Sequence, residues 1–353
     1  MKEIYLNTAA TGRIEPQYIS QAYQKYKKLT GNASVFAEKW FEKELPKIKK
    51  LTADRFGAAG HEVALIPNFS FGINAVLNAL PENSNVLCYN KDYPSLIDPL
   101  HYKNFNVFQF EDRDGFTIYP ETIERYIRKH FIDFLVLSHV QWLTGFKSDL
   151  NEIGDICKRN SVRLIVDATQ SAGANDISFS NSEVDAMLFS SYKWLNSGFG
   201  NGILLMKSTF LKDFPPKISG MHSYELIEGK LILEPSIRFY EPGHQNLFGF
   251  EIFKQVLENR TKKDIRNIEK KNSKMTRYFF EILSEKVPVI GIRGTEHRSS
   301  IVYIEGNEKL HQYMLSKGIV CSFRGGNVRI SFHFDNKKKE IDRAASILNE
   351  YFK

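Results

Sequence analysis

The stretch "VDAMLFSSYKWLNSGFGNGILLM", residues 184–206, closes an apolar run with two hydroxyls, a tyrosine and Lys193, then turns through glycines into a second apolar run. A lysine where a buried strand should end has two readings. One is a solvated loop residue, since lysines are mostly exposed and costly to bury. The other is an amine held in a pocket to form a Schiff base, its pKa lowered by its surroundings. The rest of the chain decides between them.

Besides its own runs "VDAMLFS" (184–190) and "GILLM" (202–206), three short apolar segments precede this region: "SNVLCYN" (84–90), "IDFLVLSHV" (132–140) and "VRLIVDA" (162–168). Between them lie amphipathic helical stretches at 71–80, 120–131 and 150–160. Near-continuous apolar strands alternating with helices predict an α/β fold, a mostly parallel sheet of the seven-stranded type covered by helices on both faces. After residue 250 the pattern changes. A long charged helical stretch reaches residue 286 and leads to "SSIVYIEG", "GIVCSFRGG" and "NVRISFHF", as in a smaller α+β domain. The expected division is a large domain over 15–250 and a small one built from 1–14 and 251–353.

Composition narrows the function. The chain has 353 residues, 42% hydrophobic and 25% charged, an ordinary globular balance. No apolar run approaches the ~20 residues of a membrane span, and "MKEIYLNTAATG" has no signal-peptide core. A cytoplasmic protein with no membrane partner is expected. Cys88, Cys157 and Cys321 are far apart, which argues against a disulfide framework and against a metal site. A net charge of +7 permits anionic ligands, but no nucleic-acid-binding motif accompanies it. "GFGNG" (198–202) precedes a strand instead of opening a helix, so it lacks the dinucleotide-loop context.

Ligands of open α/β sheets bind beyond the carboxyl ends of the strands. Three such ends carry chemistry: "HVQW" (139–142), "DATQ" (167–170) and "SSYK" (190–193). A carboxylate, an amine, hydroxyls, an aromatic plate and an arginine fork are what pyridoxal 5'-phosphate and an amino acid require.

"VDATQSAG" followed by "FSSYKWLNSGFGNG" resembles the core of the class V aminotransferase family of fold type I pyridoxal-phosphate enzymes, which also holds cysteine desulfurases and kynureninases. "YLNTAAT" (5–11), "NFSFGINAVLNAL" (68–80), "YEPGHQN" (240–246) and "GIVCSFRGGNVRISFHFDNKKKEIDR" (318–343) are similar to further family segments in the family's order. The resemblance implies roles. Lys193 would carry the cofactor as an internal aldimine, Asp167 would pair with the pyridinium nitrogen, and Gln170 would reach the phenolic oxygen. Ser190, Tyr192, Ser70 and the Phe69 amide would hold the phosphate, and Tyr93 would stack on the ring. Trp142 would narrow the pocket beside Gln141, with His139 either a pocket wall or a core histidine. Arg329 and Asn7 would bind substrate, helped by the 219–240 segment. His244 would reach a phosphate across a homodimer interface.

The resemblance leaves several reactions open. A desulfurase needs a nucleophilic cysteine on a loop before the substrate arginine, and "GIVCSFRGGNVRIS" has no room for one. The preferred expectation is an aminotransferase acting on an amino acid and a 2-oxo acid. The alternatives are a lyase of the cysteine desulfurase, selenocysteine lyase or kynureninase type, an amino-acid epimerase, or a catalytically degenerate binding protein.

Overall fold

The computed structural model describes residues 3–227, 230–232 and 234–353. Residues 228, 229 and 233 of the segment expected to line the pocket lie outside the described residues.

Seven strands form the large sheet, in the order Val63–Ile66, Gly202–Met206, Ala186–Ser190, Arg163–Asp167, Phe134–Ser138, Asn85–Tyr89, Asn106–Phe110. Six run in one direction. Gly202–Met206 opposes both of its neighbours, which makes the sheet mixed but mostly parallel, as the apolar runs predict. Alternation within each strand serves two cores. Leu65, Leu87, Leu135, Leu164 and Met187 point into one, while Ala64, Val86, Val136, Ile165 and Ala186 point into the other. Helices cover both faces, so the side chains of the central strands leave water, while the edge strand Asn106–Phe110 keeps Asn106 and Gln109 exposed.

A second unit follows. Ile301–Ile304, Asn327–Ser331 and Ser322–Arg324 make an antiparallel sheet, joined at its sharp turn by Gly325 and Gly326, both at positive φ. Ile4–Tyr5 pairs in parallel with Ile319–Val320, and Ile4 and Leu6 enter the small core with Met275, Phe279 and Leu348. The expected division at residue 250 falls within helix Leu247–Asn259, whose apolar side packs into the larger core.

The charged stretch up to residue 286 is two helices, Leu247–Asn259 and Lys262–Ile282. Thr261 breaks the run: its hydroxyl accepts from the Asp264 amide, and the Asp264 carboxylate accepts from the Thr261 amide. The preceding Arg260 is drawn inward instead, donating to Leu195 O, Asn196 Oδ1 and Glu15.

Candidate active site

Register brings the chemical strand ends to one edge. Ser138 pairs with Asp167, Asp167 with Leu188, and Ser190 with Gly202. Parallel neighbours therefore end side by side, and the residues that follow them face one crevice.

Lys193 sits in the tight turn after Ser190. The turn is held by Ser191 Oγ donating to Asn201 O at 2.9 Å and by the Asn196 amide donating to Lys193 O at 3.1 Å. The side chain is 6% exposed and, among the described residues, its amine has no hydrogen-bond partner. Its Nζ lies 5.5 Å from the Tyr93 ring centroid and 5.8 Å from that of Tyr192. Burial and the Arg329 charge pull the ammonium down to about 7, against the opposing attraction of Asp167. The solvated-loop reading of Lys193 therefore fails.

Asp167 is buried, and its Oδ1 accepts from the Thr169 amide at 2.7 Å. Burial raises it to about 6, offset by its bonds to Thr169 and by the Lys193 charge. It lies near enough to Lys193 for each to shift the other.

Asn68 caps helix Phe69–Ala79, its Oδ1 accepting from the Phe71 amide at 2.9 Å. The Phe69 amide donates to Ser190 Oγ at 2.9 Å, which seats the Ser190 hydroxyl on a helix N-terminus. Ser70, in the first turn, is exposed. Tyr192 stacks on Phe199 with centroids 4.9 Å apart.

A chain of contacts leads from Lys193 to Arg329. Tyr93 meets Trp142 edge-on at 5.6 Å, and Arg329 Nη1 donates to Trp142 O at 2.6 Å. Arg329 is 3% exposed, and its Nε is buried with no partner. Burial, with the Arg324 charge, draws it down to about 10. A guanidinium buried without a carboxylate is costly unless an anion arrives to complete it. Asn7 is close by: its Oδ1 accepts from Ser322 Oγ at 2.6 Å, and Ser322 is in register with Arg329.

Other expected residues are placed differently. Both ends of the Gln170 amide are engaged within the protein, Nε2 donating to Ala9 O at 3.0 Å and Oε1 accepting from Trp194 Nε1 at 2.8 Å. Gln141 Oε1 accepts from the Leu143 and Thr144 amides, closing its own turn. His139 lines a separate cleft with Asp149 and Asp176, and burial lowers it to about 4. His244 is exposed and packs on Phe41 and His222, away from the Lys193 contacts.

Two residues escape a reading of periodicity. Asp92 is buried, accepting from the Ser138 amide at 2.8 Å and the Tyr93 amide at 2.7 Å, and so fixes the turn that presents Tyr93. His333 is fully buried, with Nε2 3.0 Å from Trp194 O and 3.1 Å from Asn196 Oδ1, which pins the lysine turn to the small unit. Their only sequence signal is adjacency to an expected segment.

An amine, a carboxylate, an aromatic plate, a helix N-terminus with a hydroxyl and a guanidinium with an unpartnered Nε are gathered here, the set of groups that pyridoxal phosphate and an amino acid would need. The unpartnered Lys193 amine and the orphaned Arg329 Nε are the groups such a cofactor and its amino acid would complete. Comparison with known proteins places it further. The family model "Aminotransferase class-V" matches residues 4–344, and the chain belongs to that pyridoxal-phosphate-dependent family. It is 26% identical over 239 residues to a probable cysteine desulfurase of Pyrococcus abyssi, covering 62% of this chain and 59% of that protein. Among solved structures, the apo cysteine desulfurase of Thermococcus onnurineus has a TM-score of 0.84 at 20% identity, covering 99% of this chain and 94% of that one. A cystine C–S lyase solved with its product cysteine persulfide has a TM-score of 0.87 at 18% identity, covering 99% and 97%. No helix among the described residues is long and apolar enough to cross a membrane.

Proposed function

We propose that this protein is a pyridoxal-phosphate-dependent C–S lyase that eliminates sulfur from cysteine or cystine without a protein cysteine as sulfur carrier. The named relatives favour the lyase branch, which the sequence reading set as the alternative, over the transaminase it preferred. The observation that carries the choice within that branch is the state of the cysteines. Cys88, Cys157 and Cys321 are all buried, and burial pushes each thiol up to about 12. Cys321 sits between two short strands, and the segment from it to Arg329 is closed by a two-glycine hairpin with no projecting loop. A protonated, enclosed thiol is a poor nucleophile toward substrate sulfur.

Bound pyridoxal phosphate supplies a carbonyl and an electron-accepting ring at which charge from the substrate Cα is delocalised. Arg329 orients the substrate by its carboxylate. The Lys193 amine, drawn down to about 7 and so available in both protonation states near neutral pH, takes the Cα proton and delivers a proton where the leaving sulfur needs it. The Cα–H and Cβ–S bonds break, the sulfur leaves with the bonding pair, and hydrolysis of the remainder gives pyruvate and ammonium. Cysteine yields hydrogen sulfide, and cystine yields cysteine persulfide. Asp167 would hold the ring nitrogen, Ser190 and the first turn at Phe69 and Ser70 would hold the phosphate, and Tyr93 with Trp142 would cover the ring. Tyr192 borders the phosphate end, and Asn7 borders the substrate carboxylate. A homodimer in which His244 serves the partner's site is part of this reading.

The test is product stoichiometry from L-cysteine and L-cystine. Pyruvate in one-to-one ratio with sulfide or persulfide supports elimination. Alanine with sulfane sulfur would assign a desulfurase, and keto acid with aminated cofactor a transaminase; either result refutes the proposal.

A further inference from the structure

We propose a second binding site, for a phosphate-bearing small molecule, in the cleft between helix Lys262–Ile282 and the catalytic lysine turn. The cleft encloses about 650 Å³, a size suited to a nucleotide-sized ligand. Lys193, Asp167, Tyr93 and Arg329 do not line it; Gln170, which does, has both ends of its amide engaged by Ala9 O and Trp194 Nε1.

Its charge is one-sided. Arg266, Lys270, Lys274 and Arg277 repeat at helical spacing along the wall, an arrangement of like charges that weakens a helix. Arg298 lines the same cleft and lies close enough to Arg277 for its charge to be felt. Lys147 reaches Glu269 at 3.4 Å and Arg266 approaches Asp176 at 4.0 Å, so both acids of the cleft are already engaged. Among the described residues, Lys270, Lys274, Arg277 and Arg298 have no carboxylate within ion-pairing distance.

A merely solvated basic face would leave its guanidinium groups hydrated. Arg298 donates from Nη1 to Arg293 O, but its Nη2 is buried without a partner, and its guanidinium lies 4.8 Å over the Phe280 ring. Burial, with a further push from the nearby Arg277 charge, draws Arg298 down to about 10. Acceptors are orphaned too. Asn175 Oδ1 and Asn272 Oδ1 are buried and unpartnered, and both residues line the cleft. The walls thus offer charge for a phosphate and acceptors for hydroxyl or amino donors, a combination that a nucleotide satisfies.

The probes are ATP, AMP and inorganic phosphate, titrated calorimetrically into protein saturated with pyridoxal phosphate so that the cofactor site is filled. Saturable binding that weakens with salt is expected. Arg298→Gln, and independently Lys274→Glu on the exposed face, should each weaken it at least about tenfold, the size of one charge-assisted bond. Their cofactor absorbance and product stoichiometry should stay unchanged, which separates this proposal from the lyase reading. ATP binding more tightly than phosphate would identify a nucleotide ligand, and equal binding a free phosphate; both sustain a phosphate site. Absence of binding by all three probes, or binding that neither substitution weakens, overturns it.

Discussion

Gly12 offers the sharpest perturbation of the lysine turn. Its amide donates to Tyr192 O at 2.8 Å, so the N-terminal segment lies directly against the turn that presents Lys193. A Cβ at position 12 would stand 1.9 Å from Lys193 O and 2.9 Å from Asn196 Nδ2. Bringing the first contact to 3.0 Å requires a separation of about 1.1 Å (3.0 less 1.9), which breaks the Tyr192 bond. The glycine is not at positive φ, so the whole cost of Gly12→Ala arises from this contact. Overpacking costs about 1–3 kcal/mol and the lost bond about 1 kcal/mol. At roughly 2 cal/mol/K of unfolding entropy per residue, that sum lowers Tm by about 3–6 °C. A displacement near 1 Å at Lys193 should reduce kcat/KM for sulfur release by about 100-fold. Thermal melts, steady-state kinetics and the visible cofactor band measure the effect. Gly60→Ala, where a Cβ meets nothing within 4 Å, serves as the control and should be near neutral. Unchanged Tm and kcat/KM in Gly12→Ala would refute the packing argument.

Three further outcomes follow from the same geometry. Arg329→Leu should raise KM for the amino acid about 100-fold while leaving the cofactor band in place, since Arg329 would bind substrate and not the ring; loss of the band would contradict this. The pH dependence of the apo-protein follows from Lys193. Its folded pKa near 7 lies below the 10.5 of an ordinary lysine, so its stability penalty is full below pH 7 and fades as pH rises toward 10.5. Capture of pyridoxal phosphate should accordingly quicken about tenfold per pH unit up to about pH 7 and then level off; a rise continuing to pH 10 would show a normal lysine. Finally, Cys321→Ala should keep at least about half of the sulfide release from cysteine, and a loss beyond tenfold would point to a thiol carrier.

The legible part of the fold is its centre. Strands such as Phe134–Ser138 and Ala186–Ser190 are buried on both faces, so they read as unbroken apolar runs, and their polar last residues mark the crevice. The sheet edges are quieter. Val63–Ile66 has only four residues before Pro67, and Asn106–Phe110 is an edge strand interrupted by the exposed Asn106 and Gln109. Neither stands out among the apolar runs. The break at Thr261 depends on a capping box and on Arg260 turning toward Asn196, a tertiary contact that local periodicity ignores. Lys193, Asp167 and Arg329 were legible because a charge among apolar neighbours is conspicuous. Asp92 and His333 act through buried hydrogen bonds to main-chain groups of distant segments, which leave no pattern in the chain. The reaction was the least legible element, because one scaffold hosts several chemistries and the choice between them rests on which groups are buried.

The central claim is that Lys193 is the covalent anchor of pyridoxal phosphate. Borohydride reduction of the cofactor-loaded protein, followed by proteolysis and peptide mass mapping, tests it directly. The account predicts a pyridoxyl group on the peptide containing Lys193, and no adduct in Lys193→Ala. Modification of a different lysine, or a retained visible band in Lys193→Ala, would contradict it.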